Sequence, residues 1–196
     1  GHHTIDVSNP ESIELIKSLI DQYSPLFTSD KFNICCDETF DLGKGRSKEI
    51  VEKMGVHSVY VTFLNKLCQF VIDQGRIPMF WGDIILSEPE RIQQLPNEVI
   101  CLNWDYRPDV TEDSLKKLFD AGAKRLYVCP GVQGWNHLIN DYKTAYGNIS
   151  RMCQYGHQYG VMGVLNTDWG DFGHINPPEF STIGLIYGAA FSWSSH

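Results

Sequence analysis

The sequence predicts an α/β fold built on a parallel sheet, and three observations carry that prediction. Five short apolar runs alternate with stretches of helical periodicity. The runs are continuous rather than alternating and rich in Val, Ile and Leu, as parallel strands covered on both faces require. Aromatic residues lie beside polar or acidic ones around the end of each run. Such alternation gives strands joined by right-handed crossovers.

The elements follow in chain order. Residues 12–23 place Ile13, Leu15, Ile16, Leu19 and Ile20 at helical spacing. Residues 32–36 read as the first strand. Cys35 and Cys36 would then point to opposite faces, poorly placed to bridge each other. Ile34 would face inward and need a facing apolar layer. Residues 48–74 form one long helical pattern closed by Gly75. Ile77–Trp81 is the second strand, and 88–95 a short helix stopped by Pro96. The third strand covers 99–104, and a helix over 112–121 ends at Gly122. The fourth strand covers 125–129, and the helix Tyr142–Tyr159 ends at Gly160. The fifth strand covers 161–166, and 178–192 is the last helix.

The bulk numbers narrow the function. A hydrophobic fraction of 42% over 196 residues fills a real core. The net charge of −8 argues against nucleic acid and anionic membrane as main partners. No apolar run approaches the length of a membrane span. No secretory signal is legible at the start, so a cytoplasmic location is the expectation. The six cysteines match no zinc module and read as free, mostly buried thiols of a reducing compartment. His57 and His157 lie on helical patterns and read as surface residues, while His174 is a candidate for the mouth of a site. No metal site and no cofactor is expected.

Two architectures fit five β/α units: a doubly wound sheet and a (β/α)8 TIM barrel. No GxGxxG opens a helix, which disfavours a dinucleotide-binding sheet. The strand ends favour the barrel. Asp37 and Glu38 follow the first, Trp81 and Asp83 the second, and Asn103, Trp104, Asp105 and Tyr106 the third. Tyr127, Gln133 and Trp135 lie around the fourth, and Asp168, Trp169, Asp171 and His174 follow the fifth. In a barrel these ends converge on one face, where active sites sit. Two adjacent acids cannot both point inward from a regular strand, so Asp37 and Glu38 must lie where the strand ends. Tryptophans beside carboxylates suit a sugar site: pyranose faces stack on rings, and carboxylates take hydroxyls. Apolar surroundings also raise the pKa of a neighbouring acid, as a general acid needs.

Several motifs carry a closer resemblance. NICCDE at 33–38 followed by TFDLGKGRS at 39–47 resembles the catalytic segment of family 20 glycoside hydrolases, the β-N-acetylhexosaminidases. FWGD at 80–83, LNWDY at 102–106, LYVCPG at 126–131 and TDWGDFGH at 167–174 follow in that family's order. The resemblance covers the C-terminal part of the family's barrel, so the chain would hold about the last five β/α units as a partial catalytic domain over 1–196. It implies hydrolysis of terminal non-reducing β-linked N-acetylhexosamine by a retaining, substrate-assisted mechanism, an exception to the two-carboxylate scheme. In that mechanism Glu38 matches the general acid/base, Asp37 the residue that orients the 2-acetamido group, and Tyr127 the tyrosine that holds the acetamido oxygen. Trp81, Trp104 and Trp169 match the pocket walls. Asp171 stands where many members carry a glutamate that binds sugar hydroxyls, and Cys129 stands where others place an aspartate. The implied partner is an amino-sugar oligosaccharide or glycoconjugate. The family's sugar-binding arginine from the first strand has no counterpart here, so an N-terminal barrel half or self-association is expected to complete the site. The alternative is a non-catalytic carbohydrate-binding barrel, a pseudoenzyme or inactive fragment.

Overall fold

The computed structural model describes residues 3–194, and these form a five-stranded sheet with strand order β1-β2-β3-β4-β5. The strands are β1 (Lys31–Asn33), β2 (Ile77–Trp81), β3 (Ile100–Trp104), β4 (Leu126–Cys129) and β5 (Gly163–Val164). The helices are α1 (Pro10–Tyr23), α2 (Lys48–Met54), α3 (Val56–Asp73), α4 (Asp113–Asp120), α5 (Tyr142–Tyr159) and α6 (Thr182–Trp193). This is the α/β architecture of a partial (β/α) barrel. No helix among the described residues is long and apolar enough to cross a membrane. The chain divides into two compact units, one of residues 1–101 with 121–124 and one of residues 102–120 with 125–196.

In the first unit β1 and β2 pair in parallel, Lys31 against Ile77 and Asn33 against Met79. Helix α1 starts sharply because Asn9 accepts the Glu11 N–H at 3.0 Å and Pro10 occupies the first turn. Helix α3 buries Val59, Tyr60, Leu64, Leu67, Cys68 and Val71, a stripe at helical spacing. Ile20, Leu67 and Val71 form a cluster with Ile13, Ile16, Phe32 and Ile34 packed against it. Ile34 therefore packs against helices α1 and α3 rather than facing inward, contrary to the sequence expectation. The fully buried aliphatics of that cluster, Leu67 and Val71, each contribute about 1.5–3 kcal/mol.

The first unit departs from the sequence expectations at three further places. Strand β1 stops at Asn33, three residues early, because Cys35 (φ 60°) and Cys36 (φ 68°) are left-handed and lie outside the strand. The pattern over 48–74 is two helices, broken at Gly55, whose φ of 83° and ψ of 145° suit only glycine. The segment expected as a helix over 88–95 is a 3-10 turn, Pro89–Gln94.

In the second unit β4 and β5 pair in parallel, Tyr127 against Gly163 and Val128 against Val164. The fifth strand is only Gly163–Val164, much shorter than 161–166, with a further bridge between Gly131 and Thr167. Helix α5 matches its expected bounds. Asp141 caps it by accepting the Thr144 N–H at 3.0 Å, and Gly160 ends it in the left-handed conformation. The expected last helix begins as a 3-10 turn, Pro178–Ser181, before α6. Helix α6 turns Gly184 and Gly188 inward, and a Cβ at Gly188 would lie 2.3 Å from the Asn166 amide nitrogen. Asn166 donates to the Gly184 carbonyl at 3.0 Å, so the close approach is hydrogen-bonded.

None of the six cysteines, all among the described residues, is in a disulfide. Cys68, Cys101, Cys129 and Cys153 are buried, Cys36 is half-buried and Cys35 is exposed. Burial pushes the Cys68 thiol up to about 12 and the Cys153 thiol up to about 11.

Candidate active site

The acidic end of the first unit is a loop whose backbone is tied down at almost every residue. The Ile34 N–H donates to the Met79 carbonyl at 2.9 Å, and the Trp81 N–H donates to the Cys35 carbonyl at 3.0 Å. The Cys35 N–H donates to Asn33 Oδ1 at 2.9 Å. The Tyr60 hydroxyl donates to the Cys36 carbonyl at 2.9 Å, and Glu38 N–H donates to Asp83 Oδ2 at 2.9 Å. These bonds hold three left-handed residues, Cys35, Cys36 and Glu38, in a conformation that costs roughly 1–2 kcal/mol per non-glycine residue. The effect is to turn the chain so that adjacent acids meet different surroundings. Asp37 is half-buried and lines a mostly apolar cavity of about 240 Å³ with Cys36, Leu42 and Tyr60. Glu38 is exposed. Burial pushes the Tyr60 phenol and the Cys36 thiol well above their ordinary ranges, so both stay protonated at neutral pH. Trp81, at the end of β2, is buried at 5% exposure.

The second unit carries an aromatic box. Trp104 at the end of β3 stacks on Tyr106, with ring centroids 5.2 Å apart and planes at 21°. Trp135, after β4, meets Tyr106 edge-on at 4.9 Å. Trp169, after β5, donates its indole N–H to the Tyr106 hydroxyl at 2.7 Å. Gly131 makes room for this packing, since a Cβ there would lie 2.5 Å from the Trp135 ring and 3.0 Å from Tyr106.

The segment bearing Tyr106 is fixed through its carbonyls. Asn148, fully buried on α5, donates to the Asp105 carbonyl at 2.8 Å and the Arg107 carbonyl at 3.0 Å. Gln133 donates to the Tyr106 carbonyl at 2.8 Å. Asn148 also accepts the Gly131 N–H at 3.0 Å.

Tyr127 is half-buried on β4. Its neighbour Val128 lies against Gly156 of α5, so by strand alternation Tyr127 and Cys129 project from the opposite face. The Tyr127 ring lies over Gly163, where a Cβ would come within 2.8 Å of it. Gly163→Ala should therefore displace the ring and destabilise the fold by about 1–3 kcal/mol. A melting scan should show a fall of roughly 2–10 °C. An unchanged melting point would show that Tyr127 does not need the space.

Asp171 is exposed and opens a 3-10 turn in which Phe172 is left-handed, followed by left-handed His174. His174 Nδ1 meets the Asn176 carbonyl at 3.1 Å, and its Nε2 lies 3.6 Å from Asp168 Oδ1, an ion pair when the imidazole is protonated. His57 is half-buried, with Nε2 3.8 Å from Glu88, and His157 is exposed. Among the described residues no group of three or more His, Cys, Asp or Glu is placed to hold a metal ion.

Sequence reasoning noted Asp83 and Tyr106 without giving them a role, and it missed Tyr60 and Asn148. The last two sit inside helical patterns, where nothing local marks a residue that reaches a distant loop.

Comparison with known proteins decides the family. Residues 1–168 match the family described as "Glycosyl hydrolase family 20, catalytic domain". The chain belongs to glycosyl hydrolase family 20. The match to this family ends before Trp169 and Asp171. A lacto-N-biosidase of Bifidobacterium bifidum is 28% identical over 93 residues, which is 42% of this chain and 8% of that protein. Among solved structures, a β-N-acetylhexosaminidase of Bacteroides fragilis NCTC 9343 superposes with a TM-score of 0.61 at 15% identity, over 91% of this chain and 40% of that one. A Flavobacterium johnsoniae chitobiase gives 0.58 at 16% identity, over 97% and 33% respectively. Dispersin B gives 0.57 at 18% identity, over 96% and 60%. The chain thus spans less than two thirds of each of these relatives, and at such identities the likeness to the solved structures is one of fold.

Proposed function

We propose that this chain carries catalytic residues of an exo-acting β-N-acetylhexosaminidase that works by substrate assistance. The observation that supports it is the Asp37–Glu38 pair, set in a hydrogen-bonded turn at the end of β1, in a family 20 catalytic domain. In the first step the substrate's acetamido oxygen attacks the anomeric carbon, and the glycosidic bond breaks. Glu38 gives its proton to the departing oxygen. Asp37 steadies the acetamido nitrogen as positive charge develops in an oxazolinium-like ring, and Tyr127 donates a hydrogen bond to the acetamido oxygen. Water then attacks the anomeric carbon, Glu38 takes its proton, and the ring opens with net retention. Trp81, Trp104 and Trp169 wall the sugar, and Asp171 takes a hydroxyl. No cofactor enters this chemistry.

The five described strands leave β1 and β5 as the sheet's edges, whereas a closed barrel of this kind takes eight. Glu38 is exposed, so the first unit does not by itself supply the dry surroundings that favour general acid catalysis. We infer that hydrolysis requires further strands, from elsewhere in a longer polypeptide, from a partner chain or from a second copy. The 196 residues alone should release little nitrophenol from a nitrophenyl N-acetyl-β-glucosaminide. Completing the barrel should restore release, and EDTA should leave it unchanged. A completed barrel that binds the sugar without cleaving it would replace this proposal with a carbohydrate-binding one.

A further inference from the structure

We propose that Tyr106 is the positioning residue of the aromatic box, setting the orientation of Trp169 for the sugar. This rests on the sugar-site proposal above and adds a residue that it leaves without a role. Three tryptophans from three strand ends meet one tyrosine. Trp104 lies on its face, Trp135 against its edge, and Trp169 is hydrogen-bonded to its hydroxyl. The three contacts ask different things of the side chain. Stacking and the edge contact need only a ring, and aromatic pairs of this kind are satisfied by phenylalanine as well. The indole N–H needs the oxygen. An indole has a single donor, so the bond to Tyr106 fixes the rotation of the Trp169 ring about its stem.

The backbone explains why tyrosine at this position can do the work. Its own carbonyl and those on either side accept bonds from Gln133 and Asn148, so its Cα is fixed before any ligand arrives. Trp169 lies beyond β5 in a loop that runs into left-handed Phe172 and His174, so strand pairing does not set the orientation of its ring. The bond therefore ties the Trp169 ring to the fixed segment. A tryptophan held in this way loses less rotamer freedom when a pyranose stacks on it.

The test uses two variants and their combination, Tyr106→Phe, Trp169→Phe and the double change. Titration with N-acetylglucosamine, followed by NMR on the 196-residue chain, gives affinity, and the Trp169 indole N–H resonance reports the hydrogen bond directly. Tyr106→Phe should shift that resonance, leave the melting point close to that of the parent, and weaken sugar binding about threefold to tenfold, as the loss of one ordinary hydrogen bond does. In the Trp169→Phe background the Tyr106→Phe change should have no further effect on affinity, because its action runs through the indole. A merely structural tyrosine would instead lower the melting point and give additive losses in the double variant. Parent binding with equal affinity in Tyr106→Phe, or additive losses, overturns the inference alone. A parent chain whose resonances ignore the sugar overturns this inference, which places a preformed aromatic box within the 196 residues; the catalytic proposal falls only if the completed barrel ignores the sugar as well.

Discussion

In the completed barrel, the form used for every kinetic comparison that follows, replacing Glu38 by Gln should lower kcat/KM for a disaccharide with a poor leaving group by about 10²–10⁴, the usual worth of general acid catalysis. An activated aryl glycoside such as a dinitrophenyl N-acetyl-β-glucosaminide should lose far less, because its phenolate departs without a proton. The comparison belongs on kcat/KM, which reports the first, bond-breaking step; kcat falls for both substrates if attack by water becomes slow without a base. Glu38 is exposed, and its fixed contact with Asp83 runs through its backbone N–H. The change therefore removes a proton donor without removing a structural bond, and the melting point should hold within a degree or two. An equal loss on both substrates, at unchanged stability, would take the acid role away from Glu38.

How far the sequence revealed this molecule depends on how local each cause is. Ile77–Trp81 and Tyr142–Tyr159 were legible to the residue. The first is a continuous apolar run after Gly75, and the second lies between a capping Asp141 and a left-handed Gly160, all signals within one element. The end of β1 was not legible. Ile34, Cys35 and Cys36 extend an apolar run, and nothing in their side chains announces a positive φ. Their conformation is imposed by Tyr60 on α3, by Trp81 at the end of β2 and by Asp83 just beyond it. Gly55 shows the same limit from the other side. A lone glycine inside a helical pattern is usually tolerated, and only its extended ψ with positive φ splits α2 from α3.

The candidate site divides in the same way. That acids and tryptophans gather at strand ends follows from the pattern alone, because a parallel sheet has only that end on which to put chemistry. Tyr106 was visible there as one more aromatic residue. Its place as a hub was not, because the Trp169 bond joins positions 63 residues apart. The support beneath it was hidden still further, since Asn148 sits in the middle of a helix and reaches the Asp105 and Arg107 carbonyls from there. Side chains that touch substrate advertise themselves by type and position. Side chains that hold other side chains do not.

A substrate without the 2-acetamido group is the sharpest probe of the proposed mechanism. An internal nucleophile gains much of its advantage from being held next to the reacting carbon, and effective molarities for well-oriented groups reach about 10⁵–10⁸ M. A plain β-glucoside forfeits that entirely, and its kcat/KM should fall below that of the matching N-acetylglucosaminide by at least about 10³. A thiazoline that mimics the cyclised acetamido group should inhibit strongly, as intermediate analogues do. Asp37 is the residue expected to read that ring. It is half-buried beside Cys36, Leu42 and Tyr60, which strengthens any charge it presents. Asp37→Asn keeps the shape and removes the charge, so thiazoline inhibition should weaken about 10–100-fold, the worth of one hydrogen bond to a charged group. Cleavage of the N-acetylglucosaminide should fall with it, while a plain β-glucoside, already slow, should barely change. That selectivity is what separates an acid serving the substrate's own nucleophile from one that attacks the sugar directly. Brisk turnover of the plain glucoside by the parent protein, abolished by Asp37→Asn, would mean that Asp37 is itself the nucleophile.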